Sequence, residues 1–337
     1  MICEERGDYY YMNNRFQIVI DTLGSDKGPT AIILGASLVL NEHKDVDVIL
    51  VGDENLIKEE MAKLAIDPNR VTIINATDTI TNLDNIMTAF YDKPNASILL
   101  ALKELSTNPN AIGLLSAGNT GAVLVGSIRF LRREDGVRPC LAAIMPNSAD
   151  GFTCMVDTGA TVDCQSAQLH EFAKLGRDFM HDLYKIESPR IGLLSNGAEP
   201  TKGNKLVKET HKILAADESL NFIGNVEANK ALAGTCDVLV ADGFAANQLL
   251  KATEGTAERI ITDIVKYSKM NNRPDIMPLV GHLMAKYDIS SLGGGIILGA
   301  KKLVIKCRGN SGEKAILNTA TMLINMATNQ ALYTEVK

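Results

Sequence analysis

The stretch FQIVIDTLGSDKGPTAIILGASLVL, residues 16–40, decides the fold. It opens with an apolar run, continues through a glycine-containing polar turn at residues 21–29, and ends in an apolar helical pattern. An apolar run without polar alternation is typical of a strand that helices cover on both faces of its sheet. Strand, turn and helix in this order predict the first unit of a parallel α/β sheet.

The same alternation continues along the chain and predicts an α/β fold with a doubly wound, mostly parallel sheet. Predicted strands are FQIVID (16–21), DVDVILVG (45–52), RVTIIN (70–75), AIGLLS (111–116), GFTCMVD (151–157), PRIGLLS (189–195), LNFIG (220–224), CDVLVAD (236–242) and KLVIKC (302–307). Predicted helices cover 28–42, 97–107, 120–133, 166–184, 203–216, 244–270 and 312–330.

The predicted domain organisation is a poorly ordered extension at residues 1–13 followed by one large α/β catalytic domain at 14–337. Within that domain, prolines in SKMNNRPDIMP (268–278) interrupt two helical stretches. Residues 256–288 therefore form either a projecting helical hairpin or an ordinary helix-loop-helix of the core.

The bulk composition narrows the class of protein. The chain has 337 residues, 46% of them hydrophobic, and a formal net charge of -6. Its acidic balance, without a basic stripe, argues against nucleic-acid binding. The longest apolar stretches, such as AIILGASLVL (31–40), are about half as long as a bilayer crossing requires. These features predict a cytoplasmic protein.

Missing motifs narrow the chemistry. The sequence lacks a GxxxxGK[ST] phosphate loop, a GxGxxG after the first strand, a GxSxG elbow, an HExxH motif and an HxxxxD arrangement. Its six cysteines have neither metal-site nor disulfide spacing, and its five histidines stand in helical, charged surroundings. We therefore predict no metal and no cofactor.

Three predicted strand-to-helix turns combine glycine with small polar residues: DTLGSDKGP (21–29), SAGNTG (116–121) and DGFAAN (242–247). Ligands of doubly wound sheets bind at such turns, where the N–H groups of a helix's first turn attract anions. Helix caps and tight turns use the same residue types, so one such turn alone is more often structural. Three together favour an anion site.

A fourth turn, NGAEPTKGN (196–204), places Lys202, Gly203 and Asn204 at a helix entrance. A lysine there can bind phosphate or an oxyanion, although a solvated surface lysine is the simpler interpretation of Lys202 alone. Phosphate is already anionic near neutral pH and needs little deprotonation to attack a thioester. The reaction then needs an anion-binding nest, a hydrogen-bond donor to the thioester oxygen and close placement of the two reactants, but no general base.

Seven segments resemble, in order, the PlsX family of bacterial phosphate acyltransferases. They are VIDTLGSDKGP (19–29), VILVGD (48–53), LLSAGNTGAVL (114–124), VDTGATVDC (156–164), IGLLSNGAEPTKGN (191–204), FIGNVE (222–227) and DVLVADGFAANQLLKATEG (237–255). The resemblance, which runs from about residue 16 to 330, implies a Rossmann-like fold related to phosphotransacetylase and isocitrate dehydrogenase-like folds. It also implies a homodimer that transfers long-chain acyl groups from acyl carrier protein to inorganic phosphate for phospholipid synthesis.

The resemblance assigns catalysis to Lys202, as an oxyanion ligand, and to Asn247, as a hydrogen-bond donor or orienting group. The resemblance also assigns phosphate or substrate binding to two sets of motif positions. They are Asp21, Gly24, Asp26, Ser116, Gly118, Asn119, Thr120 and Gly121 in the first two turns, and Gly203, Asn204, Asp242 and Gly243 in the last two.

The chain departs from the family at four motifs. Ala245 and Ala246 replace the threonine and glycine of DGFTGN, and Ala160 and Thr161 replace an AN pair. Residues 308–311 (RGNS) replace an HGSS-like turn, and GGGIILG (293–299) replaces GGAPLLG. Because the SAGNTG, KGN and terminal-asparagine positions are kept, we expect activity.

The family's partners suggest two surfaces. Acyl carrier protein is acidic, so a basic patch should dock it; the candidates are Arg129, Arg132, Arg133 and Arg138, or Lys301, Lys302, Lys306 and Arg308. The 256–288 segment could contact the inner face of the membrane peripherally, with functional coupling to the membrane glycerol-3-phosphate acyltransferase that uses the product, or build the dimer. Rival functions are a phosphotransacetylase-like exchange with coenzyme A and a non-catalytic acyl or carrier-protein scaffold.

Overall fold

The sheet contains eleven strands in the part of the chain that the structure, a computed structural model, describes: residues 15–133, 136–287 and 294–328. The predicted extension 1–13 lies outside these ranges. The strands are β1 (Phe16–Asp21), β2 (Val46–Gly52), β3 (Val71–Asn75), β4 (Ala111–Ser116), β5 (Cys140–Pro146), β6 (Phe152–Val156), β7 (Arg190–Ser195), β8 (Asn221–Glu227), β9 (Val238–Val240), β10 (Gly295–Leu298) and β11 (Leu303–Lys306). Their order is β3-β2-β1-β4-β11-β10-β5-β6-β9-β7-β8.

Ten α-helices accompany the sheet in the same ranges. They are α1 (Gly28–Glu42), α2 (Glu54–Lys63), α3 (Ile86–Asp92), α4 (Ser97–Thr107), α5 (Thr120–Phe130), α6 (Ser166–Tyr184), α7 (Lys205–Ala216), α8 (Gly243–Met270), α9 (Met277–Tyr287) and α10 (Glu313–Ala327). Among the helices described, none has the length and apolarity needed to cross a membrane.

Two sets of parallel strands run in opposite directions within the sheet. The first set is β3, β2, β1, β4 and β11, and the second is β6, β9, β7 and β8. Between them, β10 and β5 pair antiparallel with their neighbours. The carboxyl ends of the two sets therefore point to opposite edges of the sheet, which decides where each turn lies.

The core is continuous on one face of the sheet and divided on the other. On the first face, Ile18 and Ile20 of β1 belong to the same buried cluster as Ile191 of β7. On the second face, Val19 of β1 packs into one cluster with α4 and α5, whereas Leu239 of β9 packs into another with α8. Helices thus cover both faces, as the doubly wound prediction requires.

The predicted strands are all present, whereas β5, β10, α2 and α3 were not predicted. Strand β10 lies in GGGIILG, where no strand was predicted, and β5 ends in Pro146. The predicted helix 120–133 ends at Phe130. The predicted hairpin corresponds to α9 and the second half of α8, which contact each other; its projection and the single-domain assignment stay predictions.

Candidate functional site

The predicted site residues occupy two opposite edges of the sheet. The turns after β1 and β4 share the first edge with the turn after β11, because these strands are parallel neighbours. The turns after β7 and β9 share the second edge with the loop after β6. The structure therefore brings 21–29 together with 116–121, and 196–204 together with 242–247.

A row of polar side chains marks the first edge. Asp21, Ser116 and Lys306 occupy paired positions on β1, β4 and β11. The Ser116 hydroxyl donates to Asp21 Oδ2 over 2.7 Å and accepts from the Gly118 N–H over 3.1 Å. Burial raises the pKa of Asp21 to about 6 and lowers the pKa of Lys306. Perturbed groups of this kind are concentrated at functional sites.

Gly24 and Asp26 hold the turns of the first edge together. Gly24 has a φ of 81°, and a Cβ there would lie 2.8 Å from the Gly118 Cα, so the close approach of the two turns requires glycine. The Asp26 N–H donates to the Gly309 carbonyl over 2.8 Å, while the Asp26 side chain stays exposed.

Asn119, Thr120 and Gly121 form the entrance to α5. Asn119 Oδ1 accepts from the Ala122 N–H over 2.9 Å, which makes Asn119 the N-cap. Its Nδ2 donates to Asn82 Oδ1 over 2.8 Å, so this carboxamide is committed to neighbouring groups. Thr120 is exposed and Gly121 is half-buried.

Asn247 and the loop after β6 meet at the second edge. Asn247 Nδ2 donates to the Thr158 carbonyl over 3.0 Å, and the Gly243 N–H donates to the Thr161 carbonyl over 2.8 Å. A Cβ on Gly243 would lie 2.6 Å from that carbonyl oxygen, so only glycine permits this contact. The carboxamide of Asn247 is thereby fixed beside the backbone of residues 158–161.

Asp157 organises that loop. Its carboxylate accepts from four backbone N–H groups, those of Leu141, Gly159, Ala160 and Thr161, over 2.6–3.2 Å. Burial raises the pKa of Asp157, while the four donors favour the ionised form. Asp157 therefore positions the carbonyl groups that Asn247 and Gly243 contact.

The N-termini of α7 and α8 converge on a cavity of about 330 Å³ at the second edge. Asn204 Oδ1 caps α7 by accepting from the Val207 N–H over 2.9 Å, and Asp242 Oδ1 caps α8 by accepting from the Ala245 N–H over 2.7 Å. Gly203, Asn204 and Asp242 all line this cavity. Lys202 is exposed beside it, and its ammonium has no ion pair within the described ranges.

Helix α8 connects the two edges. Asn247, Lys251 and Glu254 lie on one face of α8, because they are spaced by four and three residues. Asn247 contacts the second edge, whereas Glu254 pairs with Arg308 in the turn after β11. A polar stripe of α8 thus runs from one group of predicted site residues toward the other.

The two candidate basic patches differ in how many of their charged side chains bond to other groups of the protein. In the second patch, Lys302 Nζ donates to two backbone carbonyls, Lys306 is half-buried, and Arg308 pairs with Glu254. In the first patch, Arg132 and Arg138 are exposed. The first patch therefore leaves more charge for an acidic partner.

Three residues that the structure places at the site were not predicted: Asp157, Ser195 and Glu254. Ser195 lines the cavity, and its hydroxyl is buried without a hydrogen-bond partner in the described part of the chain. Asp157 and Ser195 could have been found from their places where a predicted strand meets a polar turn, and Glu254 from its place in the motif of residues 237–255. No group of three or more His, Cys, Asp or Glu arranged for a metal ion occurs within 15–133, 136–287 and 294–328.

Comparison with known proteins identifies the family. Residues 16–333 match the family described as "Fatty acid synthesis protein". The chain belongs to this family. The phosphate acyltransferase of Latilactobacillus sakei subsp. sakei is 38% identical over 326 residues, 94% of this chain and 95% of the relative. That of Syntrophomonas wolfei subsp. wolfei is 36% identical over 303 residues, 90% and 92% of the two chains.

Family membership confirms the predicted PlsX resemblance and the predicted class of enzyme, an acyltransferase. The solved structures add the fold. A phosphotransacetylase from Streptococcus pyogenes superimposes with a TM-score of 0.62 at 17% identity, covering 94% of each chain. At that identity the likeness concerns the fold alone, and it confirms the predicted Rossmann-like architecture.

Proposed function

We propose that the chain transfers a long-chain acyl group from acyl carrier protein to inorganic phosphate and releases an acyl phosphate. A phosphate oxygen attacks the thioester carbonyl carbon, so that a C–O bond forms and the C–S bond breaks. The carrier leaves as a thiolate that takes up a proton. Phosphate is already charged, so the protein's task is to hold two reactants and to stabilise the oxyanion.

One observation carries this proposal: the α7 and α8 N-termini converge on a cavity that Gly203, Asn204 and Asp242 line. The partial positive charge of a helix N-terminus favours an anion there. We assign Lys202 to neutralising phosphate or the oxyanion and Asn247 to donating a hydrogen bond to it. Asn247 already donates to the Thr158 carbonyl, so its carboxamide is oriented before substrate arrives.

The decisive experiment measures acyl phosphate formed from hexadecanoyl acyl carrier protein and phosphate. Lys202→Ala and Asn247→Ala should each lower kcat at least about tenfold, in line with the loss of one oxyanion ligand. Lys205→Ala and Gln248→Ala remove an exposed ammonium and an exposed carboxamide close by, and should retain activity. Thioester loss that does not depend on phosphate, or equal activity in all five proteins, would refute the assignment.

The same assay separates the rival functions. Preference for acetyl-coenzyme A over the long-chain carrier substrate would identify a phosphotransacetylase-like enzyme, which the fold also accommodates. Carrier binding without any phosphate-dependent thioester loss would identify a scaffold. The roles predicted for Asp21, Gly24, Asp26 and the 116–121 turn are tested by Ser116→Ala, which should raise the KM for substrate if that turn binds it.

We further propose a cytoplasmic homodimer that meets the membrane peripherally, close to the glycerol-3-phosphate acyltransferase that consumes the product. Large apolar side chains are exposed on α8 and α9, among them Ile260, Tyr267, Met270, Leu279 and Met284. Leu279→Asp should abolish flotation with liposomes while sedimentation shows an intact dimer. Loss of the dimer instead would assign this face to the subunit interface.

A further inference from the structure

The cavity at the second edge has an apolar interior and a polar mouth. Its interior is formed by Leu169 of α6, Leu193 of β7 and Val207 of α7, with Leu194, Ala241 and Ala245 completing the wall. Leu169 and Leu193 are almost wholly buried in the main core. The mouth carries Ser195, Asn196, Asn204 and Asp242. Such a combination suits a ligand with an apolar tail and a polar head.

The buried hydroxyl of Ser195 at this mouth suggests a ligand that carries an oxygen atom. Ser195 is the last residue of β7 and only 9% exposed, and its Oγ has no hydrogen-bond partner in the described residues. A buried hydroxyl left unpaired destabilises the folded protein. Neighbouring polar groups are already engaged, since Asn196 Oδ1 accepts from the Gly203 N–H over 2.8 Å and Asp242 caps α8. A ligand oxygen would satisfy Ser195.

We propose that this cavity receives the carbonyl-proximal part of the fatty acyl chain, with the Ser195 hydroxyl donating to the acyl carbonyl oxygen. This inference rests on the proposed function and adds the place where the chain is held. Phosphate alone does not account for the site, because leucine side chains cannot solvate a dianion. At about 330 Å³ the cavity is at the lower end of small-molecule sites, so it holds part of a long chain.

Filling the cavity should change chain-length selectivity. Ala245→Leu, on the α8 wall, and Val207→Phe, on the α7 wall, add bulk where the proximal methylenes would lie. The ratio of kcat/KM for butyryl to hexadecanoyl acyl carrier protein should rise at least about tenfold, because only the longer chain needs the space. Ala252→Leu adds the same volume at an exposed position of α8 and should leave the ratio unchanged. An unchanged ratio in both cavity variants, with wild-type activity intact, overturns the inference and leaves the proposed function standing.

Ser195→Ala distinguishes a ligand contact from a structural role. Because the hydroxyl has no partner to lose within the described residues, the variant should unfold at the same or higher urea concentration than wild type. Its kcat/KM should nevertheless fall about tenfold for every chain length. Lower stability with unchanged kinetics would show that the hydroxyl serves the fold or an ordered water, and would reject its assigned contact.

A binding measurement tests the cavity without requiring enzymatic turnover. Wild-type protein should bind a fluorescent sixteen-carbon fatty acid, Ala245→Leu should weaken that binding at least about tenfold, and Ala252→Leu should not. If wild type made no acyl phosphate but showed this pattern, the proposed function would fail and the acyl cavity would stand. Equal binding by all three proteins would reject the cavity as the acyl site.

Discussion

At the scale of single residues, the predicted site side chains also hold helices in place. Asn119, Asn204 and Asp242 each cap the helix that follows them. Small polar residues suit both tasks, because the oxygen that accepts from a helix N–H stands beside the N–H groups that attract an anion. An activity lost on alanine substitution at these positions would therefore include the effect of a lost helix cap.

Asn204 allows the two effects to be separated. Asn204→Ser keeps an N-capping oxygen, so its free energy of unfolding should stay within a few tenths of a kcal/mol of the wild-type value. Asn204→Ala removes that oxygen and should lower the free energy of unfolding by about 1 kcal/mol. Urea unfolding gives both values. Activity lost in the serine variant at unchanged stability would mark a substrate contact at residue 204, and activity kept there would restrict Asn204 to capping.

Asp21 predicts a specific dependence of stability on pH. Burial raises its pKa from 3.8 to about 6, so the folded protein binds this proton more tightly than the unfolded chain. The resulting stabilisation is complete below pH 3.8 and is lost as pH rises through 6. Relative to wild type, Asp21→Asn should therefore gain about 2 kcal/mol in unfolding free energy between about pH 4 and pH 7.

The difference in unfolding free energy between Asp21→Asn and wild type is measured by urea unfolding at several pH values. Taking the difference removes the contribution of groups that titrate alike in both proteins. Ser116 donates to Asp21 Oδ2, so Ser116→Ala serves as a second variant that weakens the same contact without removing the carboxyl. A free-energy difference between Asp21→Asn and wild type that stays constant across this range would contradict the raised pKa.

At the scale of elements, α8 offers a glycine whose replacement should stabilise the protein. Gly255 lies in the interior of α8 and is exposed, and a Cβ added to it would meet no other atom within 4 Å. Gly255→Ala should raise the free energy of unfolding by about 0.5–1 kcal/mol, because alanine loses less backbone entropy in a helix. Thermal unfolding reports this as a higher Tm.

Gly24→Ala is the contrasting substitution. Its left-handed backbone and the Gly118 Cα 2.8 Å from the new Cβ should make alanine destabilising there. Stabilisation at Gly24, or destabilisation at Gly255, would contradict the conformations assigned to the first turn and to α8.

The elements also show what sequence patterns could and could not reveal. Nine strands were predictable because each is an apolar run that ends in a polar or glycine turn. Strand β10 has only four residues and follows a glycine run in the sequence, and α2 has just two buried side chains. Neither element therefore has a strong hydrophobic pattern. The four site turns were found from composition, but their distribution over two edges depends on strand direction, which β5 and β10 reverse and which no local pattern encodes.

At the scale of the whole molecule, the missed strands divide the protein into two halves that α8 joins. Glu254 of α8 follows β9 in the second half, and it pairs with Arg308 behind β11 in the first. On the same stripe, Asn247 contacts the second edge and Lys251 pairs with Glu254. Side chains of α8 therefore contact both edges of the sheet.

Net charge gives the prediction for carrier-protein docking. The chain carries a formal charge of -6, so it repels an acidic carrier except where basic side chains are exposed, as at Arg132 and Arg138. Arg132→Glu with Arg138→Glu should raise the KM for hexadecanoyl acyl carrier protein about tenfold with little change in kcat. Lys58→Glu with Lys103→Glu makes the same change in net charge at exposed positions of α2 and α4, and should raise that KM far less. Equal KM values for the two double variants would show that docking follows overall charge, and an unaltered KM in the arginine variant would place docking elsewhere.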